Sequence, residues 1–518
     1  MNLGSRALVS MRNTLPITIL SIMGAIPILL ATKNYGAGLT PDSVGYIATA
    51  RHIASGIGVV TYDGAPLIDQ PPLYPVLLAT VAYFSRTDPR SIANIVNAVL
   101  FGLIVYLAGL LFLKFSQSSV AFALVGTTSI TVSIPLVAVS LMAWSEPLFI
   151  CFVLLYVVLF ESYRAKVDTR SMVLLSLSVA LACLTRYIGV ILILTGILGI
   201  LAFCRPNLRA RIGHLVLFVS ISALPIGMWI MRNYVISGTL FGPRASSIHS
   251  LSQNLSFMFN TLVNWYVPGR IREHRSMLML TGAIAGFLAG LSAREKWSKV
   301  TSFLSEVGPV VLLTVAYVGF LLVSSTNTAY DEIGDRLLSP VFVPITLLLL
   351  LIAAKILTSV TNQWMSPKRV HILLAAATVL WLVYPTRAAV SSIVNAMTRG
   401  QGYSSESWRR SQTIEYLRQN RTVISECAIY SNAPDALYIL AHLTAKWSPA
   451  KTRYNSPEIV VDMSTLRASW PRESKSCLVW FDNIERKYLY SLDELRRVSN
   501  MQPIIRTKDG GIYSVARE

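Results

Sequence analysis

Two acidic residues stand beside apolar runs, where acids are scarce. Asp42 follows the first run, within Pro41-Asp42-Ser43-Val44-Gly45-Tyr46, and Glu146 separates two others, within Ser145-Glu146-Pro147. Arg186, Arg232, Arg244 and Arg336 stand at the ends of further runs or in the loops next to them. A carboxylate can take the proton of a hydroxyl, and a guanidinium offers a fixed fork of N–H donors to a phosphate. Acids and arginines gathered at one membrane face would hold an anionic headgroup with a proton acceptor beside it. Charges near apolar spans are costly and tend to mark function. Plainer roles stay open at each position. Pro-Asp-Ser suits a helix start with Asp42 as N-cap. Pro147 fits a first helical turn and Glu146 its positive end. An arginine at a helix end can simply snorkel to headgroups.

The elements that must position these residues form a membrane bundle. Of 518 residues, 53% are hydrophobic and 14% charged, and mean hydropathy is +0.55; a soluble domain carries roughly 25% charge. Crossing a bilayer takes about 20 helical residues, and in hydrocarbon such runs are helices because the backbone has no other partner. Read against flanking charge, spans are expected at 14–32, 91–113, 119–141, 147–163, 171–184, 187–203, 212–231, 276–292, 304–324, 337–355 and 370–385, about eleven transmembrane helices in all. The first follows Arg6 and Arg12 as a signal peptide would, but it is long and has no small-residue cleavage site, so it is read as an uncleaved span.

Lys114, Arg164 with Lys166 and Arg170, Arg205 with Arg209 and Arg211, Arg294 with Lys296 and Lys299, and Lys368 with Arg369 all fall in loops on one side. By the positive-inside rule that side is cytoplasmic, with the N-terminus. Topology thus accounts for a net charge of +19; the clusters form no basic stripe, and nucleic acid is not expected as a partner. The other face receives loops 33–90 and 232–275, an acidic loop at 326–336, and the tail. Asp42, Glu146, Arg186, Arg232, Arg244 and Arg336 all map to it.

Two domains are therefore expected: 1–385 in the membrane and 386–518 as a small extracytoplasmic α/β domain. In the tail, charges of both signs recur, β-type runs at 427–431, 477–482 and 511–515 alternate with helical stretches at 407–417 and 492–497, and Asp509-Gly510-Gly511 reads as a hairpin turn. Of the five cysteines, Cys151, Cys183 and Cys204 lie in or beside apolar runs as small hydrophobes. Cys427 and Cys477 each precede a strand in an oxidising compartment, and either a disulfide or two free thiols fits the sequence. No CxxC pair or His/Cys cluster suggests zinc.

The first outer loop carries the most pattern. After Asp42 come Tyr46, Ala50 and Ile53 at helical spacing, read as a short amphipathic helix along the surface. Gly56-x-Gly58 follows, then Gln70-Pro71-Pro72-Leu73-Tyr74-Pro75, opening a stretch at 73–85 too short to span. This order resembles the first outer loop of GT-C membrane glycosyltransferases, in the branch of the protein-O-mannosyltransferases and lipid A aminoarabinose transferases. Ser145-Glu146-Pro147-Leu148-Phe149 resembles their second acidic motif; Leu184-Thr185-Arg186-Tyr187-Ile188-Gly189, Trp229-x-x-Arg232-Asn233 and Arg336-x-x-x-Pro340 are similar to later landmarks.

The resemblance covers the membrane part and implies a GT-C-like fold. It also implies transfer of a sugar from a polyprenyl-phosphate donor to a lipid, glycan or protein acceptor at the outer face of the plasma membrane. It implies Asp42 as general base, Glu146 as the second acid, and Arg186 and Arg336 facing the carrier phosphate. Tyr46, Arg232 and Arg244 complete the expected substrate-binding set. Two departures stand out. Ser43 replaces the second acid that many members carry after the first, which weakens the expectation of a divalent metal and leaves it open. Gln70 replaces the lysine of the aminoarabinose enzymes. A secondary transporter or flippase would instead place ionisable residues near the midplane, on paired interrupted helices; a membrane scaffold acting through its tail is the remaining reading.

Overall fold

The computed structural model describes residues 11–116, 119–204, 207–268, 297–364, 367–424 and 426–517. It is an α-helical polytopic membrane protein with a small α/β unit at its C-terminal end. Among the described residues seven helices are long and apolar enough to span, or eight if a bent pair counts as one. The long ones include α1 (Met11–Ala31), α4 (Pro89–Phe115), α7 (Glu146–Ala165) and α10 (Leu208–Ser237). Every expected span within the described residues has a helix over it; 276–292 lies outside them.

Two expected spans take a different form. Residues 119–141 are broken into α5 (Val120–Thr131) and α6 (Ile134–Ser140), bent by 50°. Pro135, in the first turn of α6, has no N–H to continue the ladder from α5. The expected spans 171–184 and 187–203 are short: α8 (Thr169–Thr185) stops, Arg186 is extended, and a 3-10 turn at Tyr187–Gly189 leads into α9 (Val190–Phe203). Gly189 makes that turn possible. A Cβ there would stand 2.7 Å from the Cys183 nitrogen and 2.8 Å from the Ala182 oxygen, too close for any other residue. The chain thus folds back against α8 and turns Arg186 away from the helix axis.

At one end of the bundle lie α2 (Pro41–Ala54) and α3 (Leu73–Ser85), matching the expected non-spanning helices. The expectation that α2 rides on the surface is corrected. Ser43, Val44, Tyr46, Ile47, Ala48, Thr49 and Ala50 are all buried, because α3 packs on one side and the tail's helix Pro434–Ala441 on another. The tail is held down at close range. Tyr403 N–H donates to the Leu39 carbonyl at 2.9 Å, and Ser404 Oγ donates to that of Ala37 at 2.9 Å. Gly402, at φ +53°, has its Cα so near the Leu39 oxygen that no Cβ fits.

Beyond residue 399, the tail forms a five-stranded sheet from β1 (Ala428–Ser431), β2 (Lys446–Trp447), β3 (Ser476–Phe481), β4 (Ser499–Arg506) and β5 (Gly510–Arg517), in the order β2-β1-β3-β5-β4. β1 runs parallel to β2 and β3, while β5 runs antiparallel to β3 and β4. The β4–β5 hairpin turns at Asp509, as its residues predict. Cys427 and Cys477 are joined as a disulfide with Cα atoms 5.7 Å apart. The helix expected over 407–417 is divided, because Ser411 caps a new helix at Gln412 by accepting from Ile414 N–H at 3.1 Å. The remaining helices before the tail are α11 (Leu251–Tyr266), α12 (Trp297–Asn327), α13 (Asp335–Trp364) and α14 (Pro367–Arg399), the last continuing past Pro385.

Candidate functional site

Asp42 does not cap its helix. Thr40 is the N-cap of α2, its N–H donating to Ser43 Oγ at 3.1 Å, so the Asp42 carboxylate is free to face the bundle. Arg336, in the first turn of α13, reaches it: Nη2 donates to Asp42 Oδ2 at 2.5 Å. The same guanidinium donates from Nε to Glu146 Oε1 at 2.6 Å. Arg186, turned out by the Gly189 fold, donates from Nη1 to that oxygen at 2.5 Å and to Ser145 Oγ at 3.2 Å. Tyr46 shares a hydrogen bond with Ser145 Oγ at 2.9 Å. Five of the seven sequence-predicted residues, Asp42, Tyr46, Glu146, Arg186 and Arg336, thus form one network.

The two acids differ in access. The Glu146 side chain is 0% exposed and Asp42 37%. Glu146 therefore anchors the pair of arginines, while Asp42 keeps a face open. Removing two guanidinium and two carboxylate groups from water is costly unless each is paired, and here each one is. Arg336 is further fixed over the Trp144 ring, 4.4 Å from its centre, and by Asp331 at 3.7 Å. Burial, and next the Asp42 charge, push the Tyr46 phenol upward, so it stays protonated and can donate.

A cavity of about 530 Å³ opens on this network, lined by Asp42, Tyr46, Asp69, Arg186, Arg244 and Arg336 on its polar side and by Val190, Phe320 and Leu321 on its apolar side. Arg244 lies near the Tyr330 ring and donates weakly to the Asp69 carbonyl at 3.5 Å. Desolvation raises the Asp69 carboxyl, opposed by Arg244.

A second cavity of about 910 Å³ meets the first from under the tail, and the two share Asp42, Asp331 and Arg336 as their common wall. Arg232 lines neither of these two cavities. Its Nη1 donates to the Leu67 carbonyl at 2.6 Å and its Nη2 to that of Val59 at 3.4 Å, while Asn233 Nδ2 and Trp229 Nε1 donate to Tyr187 OH at 2.9 and 3.1 Å. Tyr187 OH in turn donates to the Ile68 carbonyl at 2.7 Å. The Trp229-x-x-Arg232-Asn233 motif is a clamp that holds loop 59–68 and sets Asp69 at the cavity mouth.

Asp69 and Trp144 carry no mark in the sequence, whereas Asp331 is one of three nearby acids expected as candidate partners of Arg336. Asp69 lies immediately before the motif that opens at Gln70, and Asp331 in the acidic loop; Trp144 had no signal at all. Among the described residues no three His, Cys, Asp or Glu side chains gather as a metal site. Ser43 Oγ is used in capping, and Glu146 Oε1 accepts from both arginines. This donor set does not fit a resident divalent cation.

No profile of a known family matches the sequence, and neither does any curated protein. Solved structures do. ArnT from Cupriavidus metallidurans superposes with TM-score 0.59 at 11% identity over 96% of this chain and 97% of that one; its form bound to undecaprenyl phosphate gives 0.57 at the same identity and coverage. The archaeal oligosaccharyltransferase AglB from Archaeoglobus fulgidus, in complex with an inhibitory peptide and a dolichol-phosphate, gives 0.55 at 12% identity, over 98% of this chain and 74% of that one. The arabinofuranosyltransferase AftD from Mycobacteria gives 0.52 at 14% identity, over 97% of this chain and 40% of that one. At these identities the likeness concerns the fold, and the fold is that of the GT-C membrane glycosyltransferases.

Proposed function

We propose that this protein transfers a sugar from a polyprenyl-phosphate donor to an acceptor at the tail-side face of the membrane, with Asp42 as general base. The observation that carries this reading is the position of Asp42 on the wall common to both cavities. One cavity offers arginines beside apolar side chains, as a lipid phosphate requires; the other leads to the same carboxylate from the aqueous tail.

The chemistry follows from the groups present. The acceptor hydroxyl gives its proton to the open face of Asp42. Its oxygen bonds to the anomeric carbon while the carbon–oxygen bond to phosphate breaks, the electron pair leaving with the phosphate. The sugar passes through an oxocarbenium-like state, and attack opposite the leaving group inverts the anomeric centre. Arg186 and Arg244 stabilise the charge growing on the phosphate. Arg336 orients Asp42, and Glu146 holds Arg186 and Arg336 in place, acting as a positioning residue. The basic loops support a tail-side face outside the plasma membrane, with the chain beyond α14 as its extracytoplasmic domain.

The test is Asp42→Asn in protein reconstituted with a sugar-charged polyprenyl phosphate. Asn keeps the volume and one oxygen, so undecaprenyl phosphate binding should persist, while transfer falls at least ~100-fold. Near-normal transfer would return Asp42 to a structural role.

A further inference from the structure

The cavity under the tail lacks the free arginine forks that a phosphate takes best. Its arginines are already engaged: Arg453 with Glu458 at 3.4 Å, Arg486 with Asp435 at 3.3 Å, and Arg336 with the acids of the site. Besides Glu485 and Lys487, what it offers is aromatic surface and uncharged polar groups. Trp144 stands on the bundle side, and Trp447, Thr452, Tyr454, Asn455 and Tyr488 on the tail side. Arg486 lies over the Trp447 ring at 4.5 Å, yet this residue stays 38% exposed and Tyr454 50%. Tyr454 meets Tyr488 edge-on, ring centres 5.5 Å apart.

This wall is fixed to the bundle. Tyr454 OH donates to Asp331 Oδ1 at 2.5 Å, Asn455 Nδ2 donates to the Tyr330 carbonyl at 2.9 Å, and Ile248 N–H donates to the Asn455 carbonyl at 3.2 Å. Asp331 also faces Arg336, so the aromatic loop is linked through one carboxylate to the arginine that orients Asp42. Large exposed aromatics on an immobilised loop are paid for only when something covers them.

Resting on the transferase reading above, we infer that this cleft is the acceptor site and that it takes a saccharide. A sugar ring presents a face of C–H groups, which packs on an aromatic ring, and a rim of hydroxyls, which needs uncharged donors and acceptors. The cleft has both, within the size range of small-ligand sites. A peptide acceptor fits less well, since the sheet edge here, β2, is two residues long, too short to capture a strand. The bound sugar stacks on the wall and turns one hydroxyl to Asp42. The proton of that hydroxyl passes to Asp42 as its oxygen takes the donor's anomeric carbon and the phosphate departs with the bonding pair.

The experiment uses the full-length protein in nanodiscs on an array of immobilised oligosaccharides and synthetic peptides, with undecaprenyl phosphate binding measured in parallel. Wild type should retain a subset of the oligosaccharides and none of the peptides. Trp447→Ala and Tyr488→Ala should each weaken that retention by about tenfold or more, the scale of a lost aromatic contact. Trp447→Phe should keep most of it, and undecaprenyl phosphate binding should stay unchanged throughout. Retention of peptides alone, retention of nothing, or saccharide binding unaltered in both alanine variants would overturn the inference. Loss of saccharide and lipid together in an alanine variant marks misfolding, and Trp447→Phe then decides. A wild type that binds saccharide but no undecaprenyl phosphate would instead sink the transferase reading.

Discussion

The two acids of the site have opposite surroundings, and substitution should separate them. Asp42 is partly open and Glu146 is enclosed. Glu146→Gln keeps the shape but leaves Arg186 without a counter-charge and Arg336 with only Asp42 and Asp331. Breaking a buried pair of this kind costs about 3–5 kcal/mol, so thermal unfolding in nanodiscs should drop sharply for Glu146→Gln and hardly at all for Asp42→Asn. Equal melting of the two variants would contradict the assigned division of roles. Arg186 admits a finer test. Its Nη1 is held by Glu146 and Ser145, and the rest of the fork lines the cavity. Lysine keeps the charge and loses the fork, so Arg186→Lys should bind undecaprenyl phosphate less tightly than wild type and Arg186→Ala least. One charge-assisted hydrogen bond is worth roughly 1.5–3 kcal/mol, or ~10- to 150-fold in affinity. Snorkelling predicts instead that lysine substitutes freely. These residues were legible because acids and arginines at span ends are rare enough to be noticed together. Asp69 and Trp144 were not, since their partners are distant in sequence and no local pattern announces them.

At the scale of elements, the site depends on places where helices stop. The break after α8 aims Arg186, and Gly189 permits the break. A methyl group there would press on the backbone of Ala182 and Cys183, which cannot yield as a flexible side chain would. Gly189→Ala should therefore cost about 1–3 kcal/mol of stability, the scale of overpacking, and weaken undecaprenyl phosphate binding through the displaced arginine. Normal binding in a destabilised Gly189→Ala protein would show that the break and the site are independent. Helix existence was readable along most of the chain, because runs of apolar residues are a strong local signal. The burial of α2 was not readable. Its roof comes from Pro434–Ala441, almost 400 residues later, and a helix covered on several sides differs from a surface helix only in its neighbours. The same applies to β2 and β4, whose short or polar sequences acquire strand character from β1 and β5 beside them.

Over the whole molecule, charge and geometry point the same way. At one end, Arg90 at the start of α4 donates to the Ile439 carbonyl of the tail, and Glu146 at the start of α7 lies in the site. At the far ends of the same two helices, Lys114 and Arg164 both pair with Glu161, at 3.1 and 2.8 Å, and Arg164 donates to the Ser305 carbonyl of α12. The basic end is thus opposite the site and tail, as the proposed orientation, with that end in the cytoplasm, requires. A tail outside the cell also agrees with the Cys427–Cys477 disulfide, which persists in oxidising surroundings. The native thiols favour a labelling test, because Cys151, Cys183 and Cys204 are buried and the other two cysteines are bonded. Single cysteines at Ile57 and Ile459, 65% and 74% exposed, should react in intact cells with a membrane-impermeant maleimide, and one at Leu208, 71% exposed, only after permeabilisation. The reverse pattern would put Asp42 and both cavities on the cytoplasmic side. A donor presented outside could not then reach the base, and the disulfide would have to survive a reducing compartment. One inversion would remove the proposed direction of transfer while leaving the fold intact, so the experiment tests topology separately from chemistry.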